Sequence, residues 1–220
     1  MTSNEKKVIS VIEMREADAY TIAKGTPGKE LMLRAARGVY DSFEKGWKGK
    51  RTAVVCGSGN NGGDGYALAM IMEEKGLNVT VYMLSEKFSE DGGYYHEKCE
   101  EAGVRQIPYE PGKGQLKDHD ILVDCILGTG FTGEPHGTAA EAIKEINRVR
   151  EEKEDCCVIS VDINSGMNGD TGEAVLAVKS DLTVSIGFYK YGFFGGRSAE
   201  LIDSLTNVDI GIVLPEEDGK

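Results

Sequence analysis

The chain has 220 residues, the length of one ordinary domain, and its 40% hydrophobic and 28% charged residues allow a packed core and exclude general disorder. Lys+Arg total 25 and Asp+Glu total 37, so the net charge is −12, which repels nucleic acid and anionic membranes. No apolar run approaches the roughly 18–20 residues of a membrane span.

The first residues, Met1 to Lys7, run into an amphipathic segment and not an apolar leader, which points to the cytoplasm. A helix is predicted over 10–24. Ser10-Val-Ile-Glu13 is a capping-box pattern, and Ile12, Ala19, Ile22 and Ala23 give it a ragged apolar face. Thr26-Pro27 starts a second helix, with Pro27 at its first position and Leu31, Ala35, Val39 and Phe43 at helical spacing. Thr52–Cys56 reads as a buried strand, Asp64–Lys75 as a helix and Asn78–Leu84 as a strand. Residues 88–102 look helical and Val104–Ile107 forms a short strand. His119–Ile126 is a strand, Ala139–Glu152 a helix and Cys156–Asp162 a strand. Asp181–Gly187 and Val208–Val213 are further strand candidates.

Strands alternate with helices from 51 to 162, and the strands are continuously apolar. Both features indicate a doubly wound α/β fold: a mostly parallel, Rossmann-like sheet covered by helices on both faces. One domain over 1–220 is expected, with two extra N-terminal helices at about 10–45 and the sheet core at about 50–215. The five cysteines are odd in number and form no C-x-x-C pair, so they read as buried reduced thiols. His96, His119 and His136 lack metal-site spacing.

The 29 glycines are about twice average usage and cluster at strand ends, where ligands bind in such sheets. Gly57-Ser-Gly-Asn-Asn-Gly-Gly-Asp-Gly65 contains G-x-G-x-x-G between a strand and a helix. Glycines there let the backbone turn and approach a phosphate. Asn60, Asn61 and Asp64 add two amides and a carboxylate, and Asp64 suits a ribose hydroxyl or a helix cap. Asp124-Cys-Ile-Leu-Gly128-Thr-Gly130-Phe-Thr-Gly133 repeats the glycine pattern. Asp124 lies inside the apolar strand and needs a cation, a partner on the first loop or loop N–H groups. Asp162 ends another strand and is the best-placed acid/base, with Ser165 three residues on. Asp170-Thr-Gly172 looks like turn chemistry. Lys190, among Phe188, Tyr189, Tyr191, Phe193 and Phe194, is either a surface lysine or a cation facing an anionic ligand.

These motifs resemble those of the NAD(P)H-hydrate epimerases, also found as the N-terminal half of bifunctional nicotinamide nucleotide repair enzymes. Met14–Asp18, Val55–Gly65, Asp124–Gly130, Asp162–Gly166 and Asp170–Gly172 carry the resemblance, from about Glu13 to the C-terminus. It implies an isomerase that converts R-NADHX or R-NADPHX to the S form, for a separate ATP- or ADP-dependent dehydratase to restore. It also implies a bound potassium ion, with Asn61, Asp124 and Ser165 as ligands. Asn60, Asn61, Gly62, Gly63 and Asp64, with Gly128, Thr129, Gly130, Phe131, Thr132, Gly133 and Glu134, would contact the hydrated dinucleotide. Asp162 would sit at its nicotinamide ring and serve as acid/base, with Lys190 as second candidate. A homodimer is common in that family. Asn164 stands where the family usually has proline, which predicts a looser turn.

Two other readings remain open. One is a nicotinamide-dependent oxidoreductase, with Glu86 as the ribose-binding acid after the second strand. The other is a non-catalytic nucleotide sensor or docking protein on the same scaffold.

Overall fold

The computed structural model describes residues 7–215. The N-terminal run read for a leader, up to residue 6, lies outside the described residues. The chain opens with a short strand β1 (Val8–Ile9), then α1 (Val11–Ala23), α2 (Gly28–Ser42) and a single turn α3 (Glu44–Trp47). Strand β2 (Arg51–Cys56), α4 (Asn60–Glu74), β3 (Asn78–Met83), α5 (Glu90–Ala102) and β4 (Arg105–Pro108) form one half of the sheet. The other half holds β5 (Ile121–Cys125), α6 (Gly137–Glu152), β6 (Cys157–Val161) and β7 (Leu182–Ile186). After it come β8 (Tyr189–Lys190), a 3-10 turn (Tyr191–Phe194), α7 (Ser198–Leu201) and β9 (Leu205–Val208).

The seven-stranded sheet runs β4-β3-β2-β5-β6-β7-β9, and every pair is parallel. The chain winds outward from β2 in one direction and from β5 in the other. The switch point therefore lies between these two central strands. β1 and β8 form a separate two-stranded parallel sheet.

The strand residues sort by parity onto two cores. Val54, Cys56, Ile121, Val123, Ile159 and Val161 pack under α1, α2, α4 and α5. Ala53, Val55, Leu122 and Val158 pack under α6 with Ile143, Ile146 and Val149. Burial on both faces explains why these strands read as unbroken apolar runs. All five cysteines are free. Burial pushes Cys99 up to about 12 and Cys156 and Cys157 up to about 11. Cys56 and Cys125 are raised by burial as well.

Several boundaries differ from expectation. The capping box at Ser10 and Glu13 is present, but α1 buries Met14, Ala17 and Thr21 and leaves Ile12, Ala19, Ile22 and Ala23 exposed. Its contact with the sheet is a narrow stripe, and Ile22 turns toward the cleft described below. Pro27 is the N-cap of α2 and not its first helical residue. Helix α4 starts at Asn60, four residues before the predicted Asp64, with Gly59 as N-cap. The last strand is Leu205–Val208, not 208–213. Asp209 Oδ1 there accepts the Gly211 N–H at 2.8 Å and Gly211 takes φ +81°, which ends extended pairing.

Asp120 fastens the amino ends of the two central strands, opposite the ligand end. Its carboxylate accepts the Arg51 backbone N–H at 2.9 Å, the Arg51 guanidinium at 3.2 Å and Lys153 Nζ at 3.1 Å. The Arg51 side chain and backbone, then Lys153, hold the carboxyl well below the usual range. The stabilisation is therefore present above the unfolded carboxyl value, about 4, and fades as pH falls through the lower folded value. Asp120→Ala is expected to cost about 1 kcal/mol in urea unfolding at pH 7. That cost should be unchanged at pH 5 and shrink only in stronger acid.

Candidate active site

A cleft of about 540 Å³ opens at the carboxyl ends of β2, β5 and β6. Close backbone contact builds its floor. Gly57 N–H donates to Cys125 O at 3.0 Å, and a Cβ at Gly57 would stand 1.9 Å from the Ile126 carbonyl oxygen. A Cβ at Gly62 would stand 2.1 Å from the Gly57 carbonyl oxygen. Only glycine lets the first loop, the second loop and α4 meet this closely. Asn60, Asn61 and Asp64 line the cleft from α4. Gly62 and Gly63 stand behind that wall, packed on Gly57 and on Met32 and Gly92. The α4 N-cap makes no side-chain bond, so the first N–H groups of the helix have no cap.

Asp162 follows β6 with φ +66° and is the only non-glycine residue with positive φ among the described residues. That conformation costs on the order of 1 kcal/mol and is retained where surrounding contacts over-determine it. Here the contacts are specific. The backbone N–H donates to Val184 O at 2.9 Å. Oδ1 accepts from Lys190 Nζ at 2.5 Å, and Oδ2 from the Thr129 N–H at 3.4 Å.

Lys190 does not line the cleft. It is fully buried, and its ammonium also donates to Ile186 O at 2.9 Å and Ser185 Oγ at 3.5 Å. It supports Asp162 from behind and is itself held by β8, where Ile9 of β1 lies opposite Lys190. Asp170 accepts the Val11 N–H at 2.7 Å, so the Asp170 turn fastens the start of α1.

Asp124 is fully buried. Its partners lie on β6, the third loop and its own loop, and none lies on the first. Oδ2 accepts from Ser160 Oγ and the Ser165 N–H, both at 2.9 Å. Oδ1 accepts from Ser165 Oγ at 2.5 Å and the Ile126 N–H at 3.3 Å. Burial raises this carboxyl, while the hydrogen bonds from Ser165, Ser160 and Ile126 pull it down. Ser165 Oγ accepts the Leu127 N–H at 2.8 Å, and Asn61 Nδ2 donates to Leu127 O at 3.2 Å. Asn61 Oδ1 is buried without a hydrogen-bond partner. This orphaned oxygen beside the Leu127 carbonyl, with a carboxylate and a hydroxyl joined to the same chain of bonds, fits a cation that takes oxygen ligands.

The second glycine loop faces two ways. Gly128, Thr129, Gly130 and Phe131 line the large cleft. Phe131, Thr132, Gly133 and Glu134 line a smaller one of about 340 Å³ with the 166–175 segment. Glu86 is exposed and absent from the cleft wall, so the ribose-binding acid expected of an oxidoreductase is not in place. Asp18 and Arg15 of α1 and Asp91 of α5 also line the cleft. Arg15 and Asp18 belong to the opening Met14–Asp18 motif but received no role from sequence. Asp91 carried no sequence signal.

The turn at Asn164 is not loose. Asn164 is fully buried, and its Nδ2 donates to Val178 O at 3.0 Å, Ser180 Oγ at 2.9 Å and Leu201 O at 3.2 Å. Its Oδ1 accepts from Thr183 Oγ1 at 2.6 Å. One amide thus fastens the Asp162–Ser165 loop to β7, α7 and the segment before β7.

A cleft at the switch point of a doubly wound parallel sheet, walled by two glycine loops, defines an α/β protein built to take a small ligand at its strand ends. The family described as YjeF-related protein N-terminus matches residues 28–192. An NAD(P)H-hydrate epimerase of Limosilactobacillus fermentum is 33% identical over 190 residues, 85% of this chain and 88% of that protein. One from Levilactobacillus brevis is 31% identical over 209 residues, 94% of each chain. A bifunctional NAD(P)H-hydrate repair enzyme of Coxiella burnetii is 33% identical over 91% of this chain and 40% of its own length. The crystal structure of yeast YNL200c shares the fold, with a TM-score of 0.76 at 22% identity over 89% of this chain and 86% of that one. The chain belongs to the NAD(P)H-hydrate epimerase family, in the YjeF-related N-terminal group.

Asn164→Ala should strand the Val178 and Leu201 carbonyls and the Thr183 hydroxyl, all tied to this amide. A loss of about 2–4 kcal/mol in urea unfolding is expected. A loss below about 0.5 kcal/mol, the level of an ordinary surface change, would mean the network is dispensable.

Proposed function

We propose that this protein is an isomerase that converts the R hydrates of NADH and NADPH to the S hydrates, with Asp162 as the acid/base. The carrying observation is the strained, ion-paired Asp162 carboxylate at the cleft floor, in a chain of the epimerase family. The hydrate bears a hydroxyl on C6, next to the ring nitrogen. Protonation lets that hydroxyl leave as water while the nitrogen lone pair forms an iminium. Water returning to the other face gives the epimer and releases the proton. Ring opening to an aldehyde is the other route, and it too needs proton transfer at the ring. Lys190 and the Thr129 N–H fix the orientation of the Asp162 carboxylate, and Lys190 does so without touching the ligand.

The rest of the cleft suits a dinucleotide. The uncapped N-terminus of α4 offers N–H groups and a favourable dipole to the pyrophosphate. Asn60 and the 128–131 loop lie along the same wall, with Arg15 across from Gly130. Asn61, Asp124 and Ser165 would hold a potassium ion. Bound there, it supplies positive charge beneath the ligand and draws the three loops together. Within this reading the protein acts in the cytoplasm, where the five free thiols are at home. The S hydrate then passes to an ATP- or ADP-dependent dehydratase. Among the described residues no helix is long and apolar enough to cross a membrane.

The test is chromatographic equilibration of R- and S-NADHX in potassium buffer against the spontaneous rate. A clear acceleration is expected, falling when a large organic cation replaces potassium. Asp162→Asn should lower kcat at least about 100-fold, the scale of one acid/base group, while the hydrate still binds. Wild-type binding without acceleration would mark a sensor, and neither would leave the fold alone. Asn61→Ala should raise the potassium concentration for half-maximal rate about tenfold, the scale of one lost ligand-shell contact. An unchanged value would place the ion elsewhere.

A further inference from the structure

Four carboxylates, Asp18, Asp64, Asp91 and Asp162, line one cleft. Their hydrogen bonding is unequal. Asp162 receives an ammonium and a backbone N–H. Asp64 projects from the second turn of α4 onto the same cleft and has no hydrogen-bond partner among the described residues. A carboxyl with no donor, partly buried beside other anions, holds a proton more tightly. Two carboxyl groups in such unequal surroundings can divide the acid and base roles between them.

We propose that Asp64 is the proton donor of the epimerisation and Asp162 the base that completes it. This rests on the epimerase reading. The Asp64 carboxyl gives its proton to the C6 hydroxyl oxygen. The C6–O bond breaks, water departs, and the ring nitrogen lone pair forms the iminium. Water then adds to the other face, the C6–O bond reforms, and the electron pair returns to nitrogen. Asp162 takes the proton lost by that water. The S hydrate leaves, Asp162 releases its proton to solvent, and Asp64 takes one up from solvent.

The charges around Asp64 agree with this order. Its own burial, then Asp162 and Asp18, raise the carboxyl well above the ordinary range, and only Lys190 opposes them. Asp18 on α1 is also raised, by burial and then by Asp162 and Asp91. Cys56 and Cys125, at the ends of β2 and β5, face the same carboxyl and are raised by burial and neighbouring groups. Arg15 lines the cleft and does not act on Asp64.

The experiment measures R- to S-NADHX epimerisation across pH for wild type, Asp64→Asn, Asp64→Glu and Asp162→Asn, all as full chains in saturating potassium. Wild-type kcat is expected to fall as pH rises and Asp64 loses its proton. Asp64→Asn should lose at least about 100-fold in kcat with KM within about threefold, and its residual rate should lack the alkaline fall. Asp64→Glu should recover part of kcat, and residual Asp162→Asn activity should keep the alkaline fall. Asp64→Asn within fivefold of wild-type kcat, or altered only in KM, would overturn the proposal, as would an alkaline fall that follows Asp162 and not Asp64. If Asp64→Asn does not fold, the Asp64→Glu and Asp162→Asn profiles decide by the same criterion. A wild type that does not accelerate epimerisation overturns the epimerase reading itself, a distinct outcome.

Discussion

The site depends on the fully buried Asp124 carboxylate. β5 brings it to the sheet centre and β6 sets Ser160 opposite it in register. An unpaired charge there would cost several kcal/mol, so the loops beyond both strands must supply donors. Ser165 supplies two, Ser160 one and Ile126 one. Those bonds fold the third loop back over β5. Ser165 and Leu127 then carry the connection to Asn61 on α4. The path of three separate chain segments follows from solvating one anion.

That geometry also fixes Asp162. It lies between β6, whose next loop is held by Asp124, and Asn164, whose amide is fully used. With the backbone clamped on both sides, the positive φ persists and aims the carboxylate at Lys190. Lys190 is buried only because Asp162 and two further oxygens accept its protons. The ion pair and the strained backbone support each other: without the carboxylate, the buried ammonium would lose its counter-charge.

The central strands were legible because burial on both faces demands unbroken apolar sequence. Both glycine loops were legible because close approach of backbones demands glycine. The start of α4 was not. Gly62, Gly63 and Gly65 are poor helix formers, and packing against Gly57, Met32 and the β2–β5 cysteines, which no local pattern encodes, makes that segment helical. Leu205–Val208 is a half-buried edge strand with weak alternation, while the more apolar 210–214 run covers the cleft instead. Lys190 read as either a surface lysine or a ligand-facing cation because its partner, Asp162, is 28 residues away in sequence. The choice among the partners open to Asp124 was hidden for the same reason: Ser160 and Ser165 come 36 and 41 residues later.

The cleft combines two demands that ordinarily conflict. A dinucleotide brings a negative pyrophosphate, yet four carboxylates line the wall. The favourable charge is confined to particular places: the α4 N-terminus, Arg15 and, in the proposed reading, a cation held at Asn61. In that reading the carboxylates serve the ring chemistry, which needs protons. Burial of Asp64, with Asp162 and Asp18 beside it, strengthens its hold on a proton, which lessens the negative charge set against the ligand. In the proposed mechanism, charge that would repel a dinucleotide is thereby converted into a bound proton, and that proton is the reagent an epimerisation at a hydroxyl-bearing carbon requires.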